Sequence, residues 1–260
     1  MTRAEAAQFI SNNLRLKTAP LAVRFLRAGD SFPENCRRPS THLGKRITIC
    51  QAVTMARVYS WTLGLAKEDL VCVPAMITFG FTKATRPLDT LAKLFCDVGF
   101  AENVDIASRE TSGMSPMAKE NQHGILIGPL EKADYNPDTV CLYGNPAQVM
   151  RLIQAWTFKS GQRVKGHFGG KVECTEYLIA PYSTGAPRVA IPGMGDRIFS
   201  MTQDDEMVFA TPGQLLEDLI DGLKNAGKKI GARYPITFSQ NFQPDFPKPY
   251  KVVADELKLF

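Results

Sequence analysis

The chain has 260 residues, 44% of them hydrophobic and 22% charged, and a net charge of +5. This is an ordinary globular composition and excludes a disordered or collagen-like chain. No apolar run approaches the roughly 20 residues that span a bilayer, which excludes a membrane-spanning class, and the length suits one large domain or two half-domains sharing a core.

The charge is unevenly placed. Residues 1–60 hold ten Lys or Arg against three Asp or Glu, an excess of seven, so the remainder sums to −2. The excess clusters at Arg37, Arg38, Lys45 and Arg46. Such a patch attracts an anionic ligand or an acidic partner, or is simply a solvated basic face. No helix-turn-helix, zinc-finger or RNP-type pattern accompanies it, and the aromatic residues are not interleaved with the basic ones, so nucleic acid is not an expected partner. The N-terminus lacks an apolar signal region, and the expected compartment is the cytoplasm. There the six Cys, at 36, 50, 72, 96, 141 and 174, are expected to be reduced and mostly buried.

In chain order, Ala6, Ile10 and Leu14 recur at helical spacing and predict a surface helix. LAVRFL (21–26) predicts a strand ending at Ala-Gly-Asp. Residues 31–46 read as a loop, and ICQAVTMARVYS (49–60) as a helix. LVCVPAMITFGF (70–81) reads as a buried strand broken by Pro74, and RPLDTLAKLFCD (86–97) as a helix with Pro near its start. SGMSPM (112–117) reads as a loop over a pocket or on the surface. GILIGPL (124–130) and TVCLYG (139–144) predict strands, and PAQVMRLIQAWTF (146–158) predicts a helix that begins on Pro146. CTEYLIAPYS (174–183) is expected to be helical and RVAIPGMG (188–195) extended. TPGQLLEDLIDGLKNAG (211–227) predicts a helix with Thr211 as its N-cap and Gly227 as its stop. Residues 235–250, with four Pro, read as an extended arm.

One passage occurs in what looks like two copies. HLGKRITIC (42–50) resembles HFGGKVEC (167–174), VCVPAM (71–76) resembles VAIPGM (189–194), and PLAVRFL (20–26) resembles PDTVCLY (137–143). The first Pro and the last lie 54 residues apart in one copy and 55 in the other. The expected fold is therefore α/β or α+β, with two pseudo-symmetric repeated halves (about 18–110 and 120–225) around a mixed sheet. These form one globular domain with a Pro-rich C-terminal arm over 235–260.

The strings APLAVRFLRAGD, RRPS and GKRITICQAVTMAR, followed by a Cys-bearing segment and then PGMGDR before DDEMVFATP, resemble the uncharacterised ArCR family, domain of unknown function 169. The resemblance runs from about Leu21 to about Leu223. It implies a soluble protein of anaerobic metabolism and carries over no activity and no catalytic residue.

Three groups of residues carry candidate chemistry. His42, Cys50, Cys72, His167 and Cys174 are ligand types for a transition metal or part of an iron–sulfur cluster, although no C-x-x-C occurs. Cys50 and Cys174, at expected helix starts and downstream of Lys45, Arg46 and Lys171, are candidate catalytic thiolates, because a helix N-terminus and nearby cations lower a thiol's pKa. An apolar interior would reverse that sign, and burial as packing residues is the alternative. His123 or His167 is a candidate base. In IPGMGDRIF (191–199), Gly193 and Gly195 permit close approach of a ligand. There Arg197 suits a carboxylate or phosphate, and Asp196 orients that Arg or binds a hydroxyl. The Met residues, Met76 and Met194 among them, read as core filler.

The expected function is a binding protein or enzyme for an anionic small molecule or redox cofactor, with its site between the two halves. The alternative is a non-catalytic accessory or assembly subunit that grips a protein partner, or a second copy, through the C-terminal arm.

Overall fold

The computed structural model describes residues 1–82, 85–117, 122–236 and 247–259. Its centre is one six-stranded sheet formed by β1 (Leu21–Arg27), β2 (Leu63–Leu65), β3 (Gln122–Pro129), β4 (Thr139–Gly144), β5 (Arg188–Ala190) and β6 (Met207–Pro212), in the spatial order β2-β3-β1-β4-β6-β5. Every strand pair is antiparallel, which corrects the expected mixed sheet. Parallel pairing is confined to isolated bridges such as Ile47 with Leu70 and Lys165 with Arg188.

Helices cover both faces of the sheet, and this explains why β4 reads TVCLYG, buried at all six positions. Alternate side chains serve opposite cores, so an apolar residue is wanted at every position. One face is formed by Ala22, Leu26, Val140, Leu142 and Phe209. It packs against α1 (Arg3–Leu14), α6 (Pro146–Ser160) and α9 (Leu216–Asn225). The other is formed by Leu21, Val23, Phe25, Ile127, Cys141, Tyr143 and Val208. It lies under α2 (Ile49–Tyr59), α3 (Val73–Thr78) and the π-helical turn Thr175–Ile179 that leads into α7 (Ala180–Thr184). The short α8 (Met194–Phe199) sits against α2. A hairpin of α4 (Pro87–Asp97) and α5 (Val104–Ser112) adds a satellite core of Leu91, Ala92, Phe95 and Ala107.

The helix starts follow from local chemistry. Thr2, Thr48 and Asn145 each cap a helix and exchange hydrogen bonds with the third helical residue, Glu5, Gln51 and Gln148 respectively. The expected helices over 49–60, 86–97 and 146–158 are present.

Three expectations are corrected. Residues 70–81 are not a strand: Leu70 makes one bridge, and the chain then turns into α3 with Pro74 in its first turn, where a missing N–H costs nothing. Of residues 188–195, expected to be extended, only Arg188–Ala190 is a strand, and Met194–Phe199 is helical. Thr211 and Pro212 end β6 instead of opening a helix, and the α-helix begins at Leu216. Of the Pro-rich arm, residues 237–246 lie outside the described residues, and Lys248–Glu256 forms a helix, α10, with no buried residue.

Candidate functional site

Three thiols from separate parts of the chain meet on the α2/α8 face of the sheet. Cys50 is the second residue of α2, held in place by the Thr48–Gln51 capping box. Cys72 is the N-cap of α3, partly buried between the exposed Val71 and Val73. It follows closely on the Ile47–Leu70 bridge, in which Val71 N donates to Ile47 O at 3.0 Å. Cys174 opens the π-helical turn and is almost fully buried. The thiols are close enough that an ionised Cys50 or Cys72 raises the pKa of Cys174.

Asp196 is the hub of the group. Its carboxylate accepts a hydrogen bond from Tyr177 Oη at 2.7 Å and from Gly193 N at 3.0 Å, and the Cys50 thiol nearby favours its charged form. Burial raises its pKa against the lowering effect of those donors. Burial likewise pushes the Cys50 thiol well up, with the Asp196 charge and Cys72 adding to the rise. Cys174 is pushed well up by burial, then by Cys50 and Cys72. This corrects the thiolate expectation: the leading influences are desolvation and acidic or thiol neighbours, and they outweigh the helix N-terminus. At neutral pH the three thiols are protonated.

Around it, Tyr177 and Tyr143 meet edge to face, with ring centroids 6.0 Å apart. The Arg57 guanidinium lies 4.2 Å over the Tyr143 ring and grips Glu206 with two bonds of 2.6 and 3.0 Å. Arg57 and Glu206 are both buried.

The loop Gly169–Cys174 forms the second wall. Glu173 accepts from Gly169 N at 2.6 Å and Gly170 N at 2.7 Å, while burial raises its pKa to about 7. Met194 N donates to Gly170 O at 2.9 Å, which ties this loop to the Gly193–Asp196 turn. Gly193 suits this close approach, because a Cβ would lie 3.1 Å from Gly170 O and 3.2 Å from Lys171 Cα, tighter than ordinary contact. Val172 holds φ at +56°, a left-handed conformation costly for a β-branched residue.

Several expected site residues stand elsewhere. Arg197 donates to Gln203 O at 3.0 Å and pairs with Asp204, so its fork is turned toward that loop. Lys45 and Arg46 are exposed in the turn before α2. One of the four residues of the basic patch is neutralised internally, because Arg38 pairs with Glu68 and Asp69. His42 is exposed, and its Nδ1 accepts from Arg38 N at 2.9 Å; His167 is exposed. His123 is also exposed, with its ring near Phe32. Among the described residues no three or more His, Cys, Asp or Glu side chains are arranged to hold a metal ion. The five-residue ligand set expected from the two copies is therefore not assembled. Of the expected residues, Cys50, Cys72, Cys174, Gly193, Gly195 and Asp196 do come together, and a Cβ on Gly195 would lie 3.5 Å from Cys50 Sγ. Sequence reasoning missed Tyr177, Tyr143, Glu173 and Glu176. The available signal for Glu173 was its place between a Gly pair and Cys174.

The chain matches the family described as uncharacterised ArCR, domain of unknown function 169, over residues 10–222. It is similar to the uncharacterized protein MJ0308 of Methanocaldococcus jannaschii, with 24% identity over 223 residues that cover 85% of this chain and 93% of that protein. No solved structure matches it. No helix among the described residues is long and apolar enough to cross a membrane. The six residues that meet at the thiol centre, Cys50 to Asp196, lie within the matched region, and the chain belongs to the domain of unknown function 169 family.

Proposed function

We propose that this protein is a thiol-bearing binding protein or enzyme of anaerobic metabolism, working at the junction of its two halves on a small molecule or redox cofactor. The observation that carries this reading is the convergence of Cys50, Cys72 and Cys174, from three distant segments, on the buried carboxylate of Asp196. A core built only for packing has no need of an ionisable group among its thiols, since a buried carboxyl costs stability that an apolar residue does not. Its thiols are protonated and the charged group facing them is the Asp196 carboxyl, so it favours a neutral or cationic ligand group over the anion suggested by the basic N-terminal region. Cys72, between exposed Val71 and Val73, is the thiol nearest the surface and the point of entry.

A site between halves rests on reading the chain as two copies, and two features support that reading. The sheet order runs outward from the β1–β4 seam in the same way on both sides, first strand, third strand, second strand. The Ile47–Leu70 bridge recurs 118 residues later as Lys165–Arg188, the same offset that relates VCVPAM to VAIPGM.

The test is anaerobic purification followed by mass spectrometry, metal analysis and a visible spectrum. A bound small molecule or chromophore that is lost in Cys50→Ser, Cys72→Ser and Cys174→Ser supports the reading. A colourless, ligand-free protein with unaltered thiols moves the weight to a second reading, an accessory subunit that docks through its C-terminal helix. That reading is supported by α10, whose Tyr250 and Val253, with Leu257 just beyond its end, are all exposed.

A further inference from the structure

Beside the thiol centre lies a small cavity of about 160 Å³. Three carboxylates line it, Glu110, Glu173 and Glu176. Lys171 also lines it, but its ammonium is taken by Glu110 at 3.1 Å. That leaves Glu173 and Glu176 without a cationic partner among the described residues. Both are more than nine-tenths buried, and each has one carboxylate oxygen, Oε2, with no hydrogen-bond partner. A buried carboxylate oxygen with nothing to accept from is costly, and a donor placed there recovers that cost. Met114, Val172 and the exposed ring of Phe168 add apolar surface, and His167 and Thr175 also line the cavity.

We infer that this cavity binds a primary ammonium group on a short carbon stem, with Glu173 and Glu176 accepting its N–H bonds and Met114 and Phe168 covering the stem. An ammonium carries three donors and a full charge, which two unpartnered carboxylate oxygens match. An aromatic face at the mouth suits the same cation. A metal ion fits less well, because no three ligating side chains here are arranged around one point. The volume holds about four or five non-hydrogen atoms, taking roughly 30 Å³ for each water-sized group. The inference stands independently of what the thiol centre does.

The experiment is calorimetric titration of the full chain at pH 8, where Glu173 is ionised, with propylammonium chloride, with sodium chloride as the blank and magnesium and manganese chlorides run separately. The expected result is saturable 1:1 binding of propylammonium. It should be weakened about tenfold or more in Glu176→Gln and a few-fold in Phe168→Ala, whose exposed ring can be removed without disturbing the core. No propylammonium binding, binding of unchanged strength in both variants, or saturation by manganese where propylammonium does not bind would each overturn it.

Discussion

Tyr177 donates its hydroxyl to Asp196 at 2.7 Å, and the Asp196 carboxylate also accepts from Gly193 N. One carboxylate thus joins the π-helical turn after Cys174 to the start of α8, across the face where Cys50 sits. Replacing Asp196 with Ala strands a buried tyrosine hydroxyl and a helix-end N–H. The expected loss is about 2–4 kcal/mol of unfolding free energy, with a smaller loss for Asp196→Asn, measured by urea denaturation. Equal stability of Asp196→Ala and wild type would mean the hub holds nothing together.

Thiol reactivity should follow burial. Cys50, Cys141 and Cys174 have pKa values pushed up by desolvation, and their thiols are buried. Cys72 and Cys96 are partly exposed. Native protein treated with iodoacetamide at pH 8 should be alkylated first at Cys72 and Cys96, and at the four buried thiols, Cys36 included, only on unfolding, as read by peptide mass spectrometry. Early modification of Cys174 would contradict the buried, protonated centre.

The Arg57–Glu206 pair stands behind Tyr143 with both partners buried. Arg57→Met leaves an unpaired buried carboxylate and should cost about 3–5 kcal/mol, whereas the double change Arg57→Met with Glu206→Leu should cost clearly less. Chemical denaturation of the two variants checks the difference, and equal losses would count against pairing as the main contribution.

Glu173 makes stability depend on pH. Its folded pKa of about 7 lies above the ordinary 4.5, so between these values the folded state keeps a proton that the unfolded state has released. Its contribution to stability is present below pH 4.5 and is lost as pH rises through 7. Wild type should therefore lose roughly 1–2 kcal/mol between pH 5 and pH 8 from this group, allowing for solvent screening. Glu173→Gln should flatten that part of the profile, as followed by Tm against pH. An unchanged slope in the variant would assign the dependence to other groups.

On the opposite face, Gly222 lets α9 touch α6. A Cβ there would lie 2.1 Å from Ala155 O, inside any tolerable contact with backbone. Gly222→Ala should force the helices apart and cost about 2–3 kcal/mol despite its better helix propensity. A stabilised variant would show that α9 shifts freely.

Local chemistry made many elements legible in the sequence. The Pro residues at the starts of 86–97 and 146–158, Pro87 and Pro146, mark helices that are present. The apolar run at 70–81 misled, because continuous apolar residues suit a buried helix as well as a buried strand. Only packing against the sheet made Val73–Thr78 helical. Thr211-Pro212 carried a helix-start signal, but Thr211 pairs with Val140, and that sheet bond outweighs the local preference.

The sequence by itself determined where Cys50, Cys72, Cys174 and the Gly193–Asp196 turn lie along the chain and which local elements they begin or interrupt. Only the tertiary structure decided what they are. Whether a thiol at a helix start is a reactive thiolate or a protonated interior group depends on how much water reaches it and which charges face it. Neither is written in the spacing of residues. Burial and Asp196 set the answer for Cys50, and folding alone brings Asp196 there.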